Sequence, residues 1–103
     1  MSIALIIEKA NSNDIDEYLP ISTQAYFVDN WIPLCQLYNL KWIRLFETGC
    51  SFTDERLPDL LRELLVIQTH VNNVGDLFFQ ERVSNLINRL EALRGKQLTF
   101  FIG

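Results

Sequence analysis

Two long segments of the chain repeat their apolar residues at helical spacing. Between Thr53 and Val71, the residues Leu57, Leu60, Leu61, Leu64, Ile67 and Val71 form one apolar stripe. Thr53 or Asp54 can cap the start of this helix. Asp54 and Glu55 put negative charge at the positive end of its dipole. Pro58 falls near the first turn, where a missing N–H costs little. Asn72-Asn73-Val74-Gly75 then breaks the pattern. From Asp76 to Arg94, the residues Phe79, Val83, Leu86, Leu90 and Leu93 form a second seam, which Gly95 stops. So short a connection makes the two helices an antiparallel hairpin.

Shorter apolar runs lie outside the hairpin. Ile3-Ala4-Leu5-Ile6-Ile7 and Leu98-Thr99-Phe100-Phe101-Ile102 read as strands. The run Lys41-Trp42-Ile43-Arg44-Leu45-Phe46 alternates in part and reads as another strand, ended by Glu47-Thr48-Gly49. Asp29 or Asn30 can cap a short helix near 30–38. Pro33 then sits in its first turn and Asn39 in the left-handed position that closes it. Asn11-Ser12-Asn13-Asp14 is a polar break. Residues 15–28 carry mixed signals. Ile15 and Leu19 share a helical face, Pro20 forbids a long helix, and Ala25-Tyr26-Phe27-Val28 suits strand or helix.

These elements predict an α+β fold, a small two-layer domain. A three- or four-stranded sheet packs against an antiparallel helical hairpin (about 53–71 and 76–94), with a short helix near 30–38. All of it forms a single domain, 1–103. The terminal strands are expected to pair with the 41–46 strand and to leave an open sheet edge.

Composition narrows function more than fold. With 13 acids against 9 bases, the net charge of −4 excludes a duplex nucleic-acid binder, which needs clustered Lys and Arg. No apolar run is long enough to cross a bilayer. No basic, apolar, small-residue series at the N-terminus reads as a signal peptide, so a cytoplasmic location is expected. The two cysteines are then free thiols. Cys35, in the apolar stretch 31–37, is expected to be buried.

Several chemistries can be weighed residue by residue. Cys50 and Arg56 stand at the C-x5-R spacing of cysteine-dependent phosphatases. The intervening Ser51-Phe52-Thr53-Asp54-Glu55 contains no glycine to wrap an anion and puts two acids where phosphate would sit. His70 is the only histidine, too little for a zinc site, and reads as a structural residue near a helix C-terminus. Asp14, Asp16 and Glu17 lack the Gly and Glu positions of a calcium loop. No glycine-rich phosphate loop, G-x-S-x-G elbow or assignable carboxylate pair is present. No cofactor, metal or catalytic residue is expected.

The remaining signal is an acidic and aromatic surface. Asp59 and Glu63 are one turn apart on the first long helix, Glu55 a turn earlier, and Glu47 and Asp54 lie nearby. With Trp31 and Trp42, residue types enriched at binding hot spots, they form the expected partner-binding set. The leading expectation is a non-enzymatic interaction protein that binds another protein or itself, with a homodimer slightly favoured. A small-ligand or regulatory α+β module is the alternative, and a small thiol- or carboxylate-dependent enzyme comes third.

Overall fold

A computed structural model describes residues 2–8, 15–96 and 98–103. The Asn11–Asp14 break and the acidic cluster beside it fall outside the residues whose side chains are described. Strand β1 (Ser2–Glu8) is followed by β2 (Ile15–Thr23). A helical run comes next: α1 (Gln24–Tyr26), a π-helical turn (Phe27–Trp31) and α2 (Ile32–Leu37). A 3-10 helix (Ile43–Glu47) leads into β3 (Cys50–Phe52). A short 3-10 turn (Asp54–Arg56) opens α3 (Leu57–Val74), which pairs with α4 (Leu77–Leu93) before β4 (Phe100–Ile102).

The architecture is α+β, as the periodicity predicts. A four-stranded antiparallel sheet of order β2-β1-β4-β3 is joined to the α3/α4 hairpin. The hairpin keeps the predicted stripes. Leu57, Leu60, Leu61, Leu64, Ile67 and Val71 are buried on α3, and Phe79, Val83, Leu86, Leu90 and Leu93 on α4. Gly75, at φ 82°, closes α3, and Asp76 caps α4 by accepting from the Phe79 N–H at 3.1 Å.

Strand alternation divides the sheet into two faces. Ile3, Leu5, Ile7, Phe52, Phe100 and Ile102 are buried in the common core. On the other face, register aligns Tyr18, Ile6, Phe101 and Ser51 in one row across all four strands. Tyr18 and Phe101 in that row stay substantially exposed. The Phe101 ring lies against Gly49 and Gly103. A Cβ on Gly49 would come within 2.7 Å of it, and Gly49 holds φ 91°.

The arrangement of the strands differs from the expected one in three ways. The terminal strands β1 and β4 are central and pair with each other, so β2 and β3 form the open edges. Residues 15–23 are a strand. Pro20 is tolerated because β2 lies at an edge, and the register skips Ile21 as a bulge. The 41–46 segment is not a strand. Its two buried residues, Ile43 and Phe46, are spaced by one 3-10 turn.

Glu63 explains that last difference. Its carboxylate accepts from the backbone N–H groups of Lys41 (2.8 Å), Trp42 (2.9 Å) and Ile43 (3.0 Å). Amides taken up in this way cannot join a strand ladder, and they open the 3-10 helix instead. Arg44 then binds the carbonyls of Leu40 (2.6 Å) and Cys35 (3.3 Å) and joins the segment to α2. Asn39 takes φ 55°, the left-handed position expected after the short helix.

Candidate functional site

The acidic and aromatic residues singled out in the sequence do not form one open face. Trp31 is fully buried and stacks on Phe27 with ring centroids 5.5 Å apart, because the i, i+4 pair of the π-helical turn points into the core. Glu63 is 6% exposed and committed to backbone amides. Both are therefore corrected from surface to interior positions. Asp59 is bridged by Arg56 at 2.9 Å and Arg62 at 3.3 Å. Asp54 accepts from the Gly95 N–H at 3.1 Å. Trp42 is half-buried, with the Arg56 guanidinium 4.0 Å and the Lys41 ammonium 5.0 Å from its ring. Only Glu47 and Glu55 of the set remain exposed carboxylates, and the acidic ridge is largely neutralised by its own neighbours.

Arg56 is held by Asp59 and by the face of Trp42, and Cys50 lies in β3, half-buried. Cys35 is fully buried, as expected, and burial pushes its thiol up to about 11. No cluster of His, Cys, Asp or Glu that could hold a metal occurs among the described residues. A native protein treated with a thiol-reactive disulfide near pH 8 should titrate Cys50 readily and Cys35 only on unfolding. Two fast-reacting thiols would show that the α2 region opens locally.

The two most exposed large apolar side chains among the described residues, Val74 and Leu77, lie elsewhere, with Phe78 at the tip of the helical hairpin. Val74 is 68% exposed, Leu77 77% and Phe78 54%. Val74 closes α3, and Leu77 and Phe78 open α4 across the Gly75-Asp76 turn. The geometry of the turn leaves these three outside the seam that buries Val71, Phe79 and Val83. Phe78 is steadied from below by an edge contact with Tyr26, whose ring also meets Phe79.

A depression lies on each side of this tip. One, of about 150 Å³, brings Asn30, His70 and Asp76 together over Leu34, Val74 and Phe79. The Tyr38 hydroxyl and His70 Nδ1 share a hydrogen bond of 2.8 Å. The other, of about 300 Å³, runs between the end of β2 and the start of α4 along Pro20, Ser22, Thr23, Tyr26, Phe78 and Arg82. Between the two stands Tyr26. Burial, and then the nearby Asp76 carboxylate, raise its phenol above the ordinary value. Its hydroxyl makes no hydrogen bond of acceptable geometry among the described residues.

Sequence reasoning read Val74 only as part of a break, and Leu77 and Phe78 only as part of a helix. A signal was present. Leu77 and Phe78 fall outside the Phe79-Val83-Leu86-Leu90-Leu93 seam, so a helix carrying both must leave one face apolar and uncovered. No family model, curated protein or solved structure matches the chain, so the geometry stands alone.

Proposed function

We propose that the protein is a non-enzymatic interaction module that binds another protein, or a second copy of itself, through the apolar tip of its helical hairpin. The observation that carries this reading is the exposure of Val74, Leu77 and Phe78 within five residues of one another. Exposed apolar residues scattered singly are ordinary on a small domain, but a cluster marks a contact surface. The rim is polar: Asp76 and Asn73 flank the cluster, and Arg82 lies over the face of Phe78. Glu47 and Glu55 add acidic charge that favours a basic partner at long range. Two unpaired cysteines support a reducing compartment, and the proposal places the protein in the cytoplasm. No helix among the described residues is long and apolar enough to cross a membrane.

The test is a double variant, Val74→Lys with Leu77→Asp. Each new charge suits its helix end, a cation at the C-terminus of α3 and an anion at the N-terminus of α4, so the hairpin should keep its stability. Tagged wild-type protein should retain a stoichiometric partner from source lysate, or sediment as a dimer when pure. The double variant should lose that complex while its circular dichroism stays unchanged. A complex that survives both substitutions, or a wild type that stays monomeric and captures nothing, overturns the reading.

A further inference from the structure

The groove beside the tip has a chemistry that the apolar cluster does not explain. It is a cavity of about 300 Å³, at the small end of ligand sites. Its walls are mostly apolar, built from Pro20 and the rings of Tyr26 and Phe78. One cation reaches it. Arg82 is half-buried, its guanidinium 5.2 Å from the centre of the Phe78 ring, with Nη1 donating to the Pro20 carbonyl at 3.4 Å. Among the described residues that one long bond engages a single one of its five N–H donors.

Arg82 differs in this from the other arginines whose contacts are described. Arg56 and Arg62 share Asp59, Arg94 pairs with Glu91, and Arg44 is bound to two carbonyls. No carboxylate stands within ion-pairing distance of Arg82 among the described residues, in a chain whose net charge is −4. A second donor lies in the same groove. The Thr23 hydroxyl oxygen accepts from the Tyr26 N–H at 3.1 Å, which leaves its own hydrogen free to donate. A guanidinium and a hydroxyl beside aromatic walls suit an anion with an apolar body. The planar fork of Arg matches a carboxylate through two parallel bonds, whereas a doubly charged phosphate would lose most of its solvation here.

We propose that this groove binds a small apolar monocarboxylate. Arg82 and Thr23 hold the carboxylate, and Pro20, Tyr26 and Phe78 cover the apolar body. The groove adjoins the contact surface proposed above and shares Phe78 and Arg82 with it, but Val74 and Leu77, the residues replaced in that test, do not line it, so either reading can fail alone.

Phenylacetate is a suitable probe and phenylacetamide its uncharged isostere. Titrating either into isotope-labelled protein and following backbone amide resonances reads affinity and location together. Phenylacetate should give saturable shifts centred on Ser22, Thr23, Phe78 and Arg82. Phenylacetamide should bind at least about tenfold more weakly, the loss expected when a charge-assisted bond is removed. Arg82→Gln should weaken phenylacetate by a similar factor with its spectrum otherwise intact. Arg94→Gln, at the far end of α4, should leave affinity unchanged. Equal binding of acid and amide, shifts elsewhere on the surface, an equal loss in Arg94→Gln, or no saturable shift would each overturn the proposal. The comparison of acid and amide needs only the wild type, so it decides the matter even if Arg82→Gln folds poorly.

Discussion

Replacing Glu63 with alanine should lower the stability of the protein by about 3 kcal/mol, a fall of roughly 15 °C in the midpoint of thermal unfolding. The carboxylate is 6% exposed and accepts from three consecutive backbone amides, of Lys41, Trp42 and Ile43. Removing it strands those donors at the start of the 3-10 helix, where each unpaired buried group costs about 1–3 kcal/mol. It also releases the segment that brings Ile43 and Phe46, both fully buried, into the core. Glu63→Gln should be intermediate, because one carbonyl oxygen can still accept while the amide N–H₂ group faces other donors. Denaturant unfolding of the three proteins, monitored by far-UV circular dichroism, checks the order. A Glu63→Ala variant within about 1 kcal/mol of wild type would mean that water takes over the three amides.

The hairpin was legible because its stripes run for several turns, long enough to separate a helical period from an alternating one. The central strand β1 was legible as an unbroken apolar run. The 41–46 segment was not, because six residues cannot separate alternation from a 3-10 turn and the deciding contact comes from Glu63 on α3. Strand β3, only Cys50–Phe52, is too short for any pattern and exists because β4 lies beside it. Strand β2 was hidden by Pro20, which reads as a breaker unless the strand is known to be an edge.

The candidate site was less legible than the fold, since a residue type does not say which face it occupies. By residue type Glu63 groups with Glu55 and Asp59 on an acidic helix face. Yet it also stands between Leu60 and Ile67 at spacings of three and four, on the margin of the buried stripe. That spacing was the available sign that its carboxylate turns inward. The apolar tip, by contrast, became visible only when the turn at Gly75-Asp76 fixed where α3 ends and α4 begins.

Trp31 is the second residue whose replacement should cost most, and the choice of substituent separates two contributions. Trp31→Ala should destabilise the protein by about 3–5 kcal/mol, the range for deleting a large buried ring. The indole is fully buried, stacked on Phe27 and 5.1 Å from the centre of the Phe79 ring, so the cavity would open between the helical run and α4. Trp31→Phe should cost much less, under about 1.5 kcal/mol, because most of the packing survives. Loss of the indole Nε1 lowers the cost of both substitutions. That nitrogen is buried without a hydrogen-bond partner among the described residues, so phenylalanine removes an unfavourable group along with favourable volume. Urea unfolding midpoints at constant slope check both values. Equal losses for alanine and phenylalanine would show that a phenyl ring recovers none of the indole's packing. The same variant bears on function. A residue enclosed by Phe27 and Phe79 cannot touch a partner, so Trp31→Phe should leave the proposed complex intact, whereas Val74→Lys with Leu77→Asp dissolves it without destabilising the fold. A folded Trp31→Phe protein that no longer binds would place the contact surface over the helical run 24–37 instead of at the hairpin tip.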